Sequence, residues 1–124
     1  MHVIDPDDLP IVLKDGPFEL RMRDEGDMIV NFVKMPAGAD FAPAFAGLPN
    51  DKCQVPHYGM VLKGRIYTDS DEGRREYAAG EVFYWAPGHV PGALEDSEYF
   101  DFAPRDGFLH LIEHVKKGMS HGRP

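Results

Sequence analysis

Glycine and proline interrupt this chain at intervals typical of turns between short strands. The 124 residues include 13 glycines and 11 prolines, and these are spread along the chain rather than collected in one linker. Between them apolar and polar side chains alternate with a period of two, which indicates strands with one face buried. The pattern therefore predicts an all-β domain.

Seven segments have the composition and spacing of strands. They are residues 10–13, 18–23, 27–35, 57–68, 74–78, 81–85 and 97–102. Successive side chains of a strand point to opposite faces, and segment 27–35 carries apolar residues on both, so we expect this strand to be covered on both sides. Residues 108–118 begin apolar and end with two lysines before Gly118, which predicts a last strand followed by a short helix that stops at the glycine.

Length and charge limit the class of protein and its partners. A chain of 124 residues suits a single domain, which we take as residues 1–124. It can bury enough surface to fold without disulfide bonds or structural metal ions. The formal charge of -8 makes nucleic acid and anionic membrane poor partners, because both require clustered Lys and Arg. The single cysteine, Cys53, cannot form an internal disulfide. Since no segment has the length of a signal peptide or a membrane span, we expect a cytoplasmic protein.

Residues 53–91 contain the side chains most suited to chemistry. Cys53 and His57 lie four residues apart ahead of an apolar strand, and His89 follows a Pro-Gly pair after a later strand. An extended chain would hold Cys53 and His57 ~13 Å apart. One metal ion can bind both only if the chain bends between them, and Pro56 is a reasonable cause of such a bend.

These segments resemble the two sequence blocks of the cupin superfamily. The first block is Cys-x-x-x-His-x-Gly-x-Val-Leu-x-Gly-Arg from Cys53, and the second is Pro-Gly-His ending at His89. The first is similar in particular to that of a group of small bacterial cupins. The resemblance implies a double-stranded β-helix, or jelly-roll, barrel over about residues 47–103, with a short C-terminal helix or extension. Residues 37–50, which are broken by glycine and proline, would then form a loop across the barrel mouth or against a partner subunit.

The resemblance also places the residues of this chain at cupin ligand positions. The first cupin block usually carries two histidines followed by a glutamate. When this chain is aligned on that block, His57 stands at the position of the glutamate, Cys53 at that of the second histidine and Asp51 at that of the first histidine. Pro91 stands where the histidine of the second block would be, and His89 lies two residues before it.

A thiolate with two imidazoles suits Zn²⁺, so we expect a divalent metal, with zinc as first choice, at Cys53, His57 and His89. Asp51 can add an oxygen ligand, although Asn50-Asp51 also suits an ordinary turn. The alternative reading makes Cys53 and His57 core residues and His89 a loop residue. The histidines at 2, 110, 114 and 121 show no ligand spacing and are expected at the surface.

The candidate ligand pocket consists of Tyr58, Gly59 and Tyr84. Alternation along the strand leaves open which face is internal, and if His57 points inward then Gly59 follows it and leaves room for a ligand. Aromatic side chains of this kind are also typical of a core.

Two functions remain open. The first is a small cupin that binds a divalent metal and a small organic ligand, with no assigned reaction and no identified catalytic residues. The second is a metal-free, non-catalytic cupin that serves as a ligand-binding or dimeric interaction module. In both cases exposed sheet edges lead us to expect a homodimer.

Overall fold

The computed structural model describes residues 1–120 of the chain, so His121 and the end of the expected domain lie outside the described residues. Strands alternate with turns up to residue 104, and a helix follows. The elements are β1 Ile11–Asp15, β2 Phe18–Glu25, β3 Met28–Met35, α1 Ala42–Phe45, β4 His57–Lys63, β5 Arg65–Ser70, β6 Gly73–Ala78, β7 Val82–Trp85, β8 Val90–Ala93, β9 Ser97–Pro104 and α2 Arg105–Ser120. Short 3₁₀ turns occur at Pro6–Asp8 and Pro49–Asp51.

The strands form two antiparallel sheets. One has six strands in the order β1-β2-β3-β9-β4-β7, and the other has three in the order β6-β5-β8. Inward side chains of both sheets form one core, in which Ile29, Val61 and Tyr99 of the larger sheet join Ile66 and Ala93 of the smaller one. The all-β prediction is confirmed.

Strand β3 is covered on both faces, as its sequence predicts. Ile29 and Val33 belong to the main core. On the opposite face Val30 and Phe32 pack with Leu9 of the N-terminal segment. The N-terminal segment therefore shields part of the outer face of the large sheet.

Four expectations need correction. The segment predicted as one strand over 57–68 is two strands, because Gly64 adopts a φ of +79° and a Cβ there would collide with the backbone of Asp96. Strand β8 was not predicted, because it contains a proline and a glycine. Residues 37–50 include one helical turn, α1, and the tail is helical from Arg105 without an intervening strand, with Gly118 inside the helix.

Helix α2 packs against the barrel through one side. Its residues Phe108, Leu111 and Ile112 are buried in the main core, so the helix closes one end of the space between the sheets. Among the described residues no helix has the length and apolar character needed to cross a membrane.

Candidate metal centre and cavity

Cys53, His57 and His89 are brought together from three parts of the chain. His57 opens β4 opposite Trp85 of β7, while Cys53 and His89 form an isolated antiparallel bridge between two connections. The chain bends after Cys53, where the amide of Val55 donates to Sγ at 3.4 Å. The bend that one-metal binding requires is therefore present, and all three side chains are buried.

The donor atoms have separations suited to a single ion. Sγ of Cys53 lies 3.7 Å from Nε2 of His57, and one ligand atom from each of the three residues lies within 4.8 Å of the others. Tetrahedral zinc with ordinary Zn–S and Zn–N bond lengths holds sulfur and nitrogen about 3.6 Å apart. The residues present therefore fit a zinc ion. Among residues 1–120 the cluster has three members, which leaves a coordination position for water or a ligand.

The second nitrogen of His57 faces a buried carboxylate that sequence reasoning missed. Nδ1 lies 3.0 Å from Oδ2 of Asp101, and Asp101 is fully buried. The two atoms are within ion-pair distance, although their alignment is not that of a straight hydrogen bond. A histidine ligand is commonly oriented in this way by a carboxylate on its other nitrogen.

Burial and charge act in opposite directions on His57. Burial alone would lower the pKa of the imidazole, but the carboxylate of Asp101 and the neighbouring sulfur of Cys53 together raise it to about 10. Metal binding through Nε2 requires the neutral ring, so His57 would have to give up a proton to serve as a ligand.

His89 is held in the neutral form. Burial and, after it, the charge of His57 lower the pKa of His89 to about 4. Its Nδ1 lies 2.6 Å from the carbonyl oxygen of Ala86. A neutral ring that donates from Nδ1 to this carbonyl has its Nε2 lone pair available for a metal.

Gly59 lies beside this centre but does not line an open space. A Cβ built on Gly59 would collide with the carbonyl oxygen of Phe100 and would stand 2.7 Å from Cβ of Asp101 and from the ring of Phe83. The prediction that Gly59 leaves room for a ligand is wrong, because its neighbours occupy that room. In the sheet Asp101 is paired with Gly59 on one side and Asn31 on the other, and Nδ2 of Asn31 donates to Oδ1 of Asp101 at 3.4 Å.

Tyr58 and Tyr84 lie on the outer face of the large sheet. Their exposed fractions are 56% and 52%, and their rings contact each other with centroids 4.9 Å apart. His57 points inward, and strand alternation then directs the next residue outward. The two tyrosines therefore do not line the cavity that contains His57, although Tyr84 borders a second, open cleft that His89 also lines.

A cavity of about 340 Å³ adjoins the cluster. Both His57 and His89 line it, whereas Cys53 does not. Most of the wall is apolar and comes from both sheets and both helices, with contributions from residues including Leu13, Phe41, Phe45, Trp85, Phe108 and Leu111. This volume is at the small end of the range for ligand sites.

The remaining candidates have other roles. Asp51 is exposed, and its Oδ1 accepts from the amide of Gly47 at 2.9 Å, so it belongs to a turn and not to the cluster. Pro91 lies in β8 at the edge of the small sheet, a position at which proline is tolerated, and it lines the cavity.

Neither a protein-family model nor a curated protein sequence matches this chain. Solved structures do. KdgF from Halomonas sp. is 22% identical, with a TM-score of 0.61 over 85% of this chain and 94% of its own. An RmlC-like cupin from Shewanella frigidimarina NCIMB 400 is 13% identical, with a TM-score of 0.62 over 87% and 96%.

A Cupin 2 conserved barrel domain protein from Salinispora arenicola CNS-205 is 14% identical, with a TM-score of 0.57 over 94% of this chain and 95% of its own. Similarities at this level of identity concern the fold. They agree with the two antiparallel sheets described above. The chain therefore adopts the cupin fold, the jelly-roll barrel that its two sequence blocks predict.

Proposed function

We propose that the protein binds one divalent metal ion, with zinc as first choice, through Cys53, His57 and His89, and that a small organic ligand occupies the adjoining cavity. The observation that carries the proposal is the convergence of three buried donor atoms within 4.8 Å. When bound, such an ion supplies Lewis acidity to a carbonyl or a water molecule.

The surrounding residues have defined tasks in this proposal. Asp101 orients His57 so that Nε2 faces the sulfur. The carbonyl of Ala86 orients His89, and the amide of Val55 donates to the sulfur of Cys53, which fixes the position of the sulfur.

Cys53, His57 and Asp101 also lie in the order thiol, imidazole and carboxylate, which is the order found around a cysteine nucleophile and its base. The sulfur is too inaccessible to a substrate for that role. Cys53 has no exposed surface and does not line the cavity, so a substrate in the cavity does not meet the sulfur.

Metal analysis of protein purified without a histidine tag tests the proposal. After equilibration with zinc and removal of the excess, inductively coupled plasma mass spectrometry is expected to find about one zinc per chain. Cys53→Ala and His57→Ala should each lose most of it. His110→Ala, a change at an exposed histidine of α2, is the matched control and should retain it.

Circular dichroism must show that the variants remain folded. An unmutated protein that takes up no zinc, or folded Cys53 and His57 variants that keep it, would overturn the proposal.

A second candidate is a dimeric interaction module, and the outer face of the large sheet favours it. Val82, Tyr84 and Tyr58 form an apolar patch with exposed fractions of 78%, 52% and 56%. Strand β7, which carries the first two, is the last strand of its sheet and so presents unpaired backbone groups. A second copy of the chain can cover both features by a two-fold contact. This candidate is compatible with the metal site.

A further inference from the structure

The cavity beside the metal centre has a composition that selects among ligands. Its lining within residues 1–120 contains no lysine, arginine or glutamate. The two aspartates in it, Asp15 and Asp40, are exposed. An anion entering this space would therefore lose its hydration, find no lysine or arginine as a partner, meet in His57 an imidazole that already faces the carboxylate of Asp101, and approach two further carboxylates, and each of these raises its free energy.

A bound metal ion would not reverse this preference of the cavity against anions. The thiolate of Cys53 and the carboxylate of Asp101 carry two negative charges, and together they neutralise a bound dication. Asp101 stands directly behind His57. The negative charges at Cys53 and Asp101 would thus reduce the attraction that a loaded centre offers an anionic group.

Besides His57, whose Nδ1 faces Asp101, two lining residues in the described part of the chain have a buried polar atom without a hydrogen-bond partner. Among the described residues Nε1 of Trp85 and Oδ1 of Asn31 are buried and have no hydrogen-bond partner, and both side chains belong to the cavity wall. The first atom can only donate and the second can only accept. A hydroxyl group does both, so it complements a wall that lacks one partner of each kind.

Both helices contribute apolar side chains to the wall. Phe41, Ala44 and Phe45 come from α1 and its approach, and Phe108 and Leu111 come from α2. A hydrocarbon group between these helices gains burial energy, whereas His57, His89 and Asn31 provide a polar region for a head group.

We infer that the ligand of this cavity is an uncharged, largely apolar small molecule that carries a hydroxyl head group, such as an alkyl phenol or an aryl alcohol. This inference rests on the proposed function, since it names the class of ligand for the same site. It excludes phosphorylated and carboxylated metabolites as the preferred ligands.

Fluorescence titration tests the inference directly. Trp85 is the single tryptophan and lines the cavity, so its emission reports on occupancy without interference from tyrosine when it is excited at the long-wavelength edge. Two matched probes, para-propylphenol and para-propylbenzoate, are titrated into the metal-free and the zinc-loaded protein. The phenol should bind in both forms, and more than about tenfold more tightly than the carboxylate, because burying an unpaired charge is costly.

A pair of variants locates the binding. Ala44→Phe fills part of the cavity and should weaken phenol binding by more than about tenfold, since the added ring competes for the same space. Ala42→Phe adds the same ring in the same helix at an exposed residue that does not line the cavity, and it should leave the affinity unchanged.

The inference is overturned if the carboxylate binds as tightly as the phenol, if neither probe binds, or if the two alanine variants behave alike. Zinc content is measured on the same samples by mass spectrometry. If the protein takes up no zinc but still prefers the phenol, the metal is removed from the proposed function and the ligand class is retained. If the protein binds zinc but does not prefer the phenol, the metal site is retained and the ligand class is rejected.

Discussion

His57 is the residue on which the candidate site depends, because its two ring nitrogens have different partners. Nε2 faces the sulfur of Cys53 at 3.7 Å, and Nδ1 faces the carboxylate of Asp101 at 3.0 Å. Aromatic rings enclose the imidazole, with Phe108 and Trp85 at centroid distances of 5.7 and 5.5 Å. A buried ring with a neighbour at each nitrogen and aromatic rings around it has little freedom to turn, which favours a preorganised ligand.

Asp101→Asn tests the orienting role of the carboxylate. The substitution keeps the shape of the side chain but removes the charge that holds Nδ1 in the protonated state, and it should weaken zinc binding about 10- to 100-fold. Competition with a fluorescent chelator measures the affinity. Asp106→Asn, at an exposed residue of α2, is the control and should leave the affinity unchanged, and equal affinities for the two variants would refute the orienting role.

At the residue level sequence reasoning identified the donor set but not the residues that support it. Cys53, His57 and His89 stand out because their side chains are common metal ligands close to turns and prolines. Asp101 gave no such signal, since a lone aspartate in a predicted strand is usually a solvent-facing residue. The available clue was its place in the alternation, because Asp101 lies between Tyr99 and Ala103 on the same face of the strand and both of those residues are buried.

At the level of secondary structure, the contact between β4 and β9 explains why residue 59 is a glycine. Gly59 lies opposite Asp101, and the position that a Cβ would occupy is already taken by neighbouring atoms. The glycine therefore allows β4 to lie against the buried carboxylate and the ring of Phe83. Its role is close packing of the sheet and not space for a ligand.

Gly59→Ala should consequently destabilise the fold by at least about 1 to 3 kcal/mol, the usual cost of inserting atoms into a well-packed core. Gly107→Ala is the matched change, because a Cβ there meets Val55 only at an ordinary contact distance of 3.4 Å and α2 gains a better helix former, worth about 0.5 to 1 kcal/mol. Urea unfolding measures both. A Gly59 variant as stable as the Gly107 variant would contradict the packing account.

Among the secondary-structure elements, sequence reasoning predicted β3 well, because apolar residues occur on both of its faces. Strand β3 was placed within a residue and correctly expected to be covered twice. Strand β8 was missed because Pro91 and Gly92 are turn formers in most contexts, and here β8 lies at a sheet edge where proline costs little. Helix α2 was placed too late, because the apolar residues near Phe108 were taken for a strand when they form one buried side of a helix.

For the molecule as a whole, the uncovered part of the large sheet is the main surface feature. The N-terminal segment covers Val30 and Phe32 on the outer face of this sheet, but Tyr58, Val82 and Tyr84 on the same face remain exposed. A net charge of -8 opposes association, so a dimer requires a contact with strong apolar burial. We expect this patch and the adjacent edge of β7 to supply it.

The double variant Val82→Lys, Tyr84→Lys should convert the dimer to a monomer, because two ammonium groups cannot be buried without partners. Sedimentation velocity at several concentrations measures the mass. The control is Leu94→Lys, Leu109→Lys, which adds the same charge at two exposed leucines elsewhere and should remain dimeric. An unmutated protein that sediments as a monomer at all concentrations would rule out this interface.

The bridge between Cys53 and His89 joins two connections that are distant in the chain, and it lies beneath the surface. An ion bound at this bridge would keep all three donors only while the two connections stay paired, so its residence time would depend on the local opening free energy of these connections as well as on bond strength and on access through the cavity. Slow opening would let such a centre keep its ion through brief depletion of the surrounding pool.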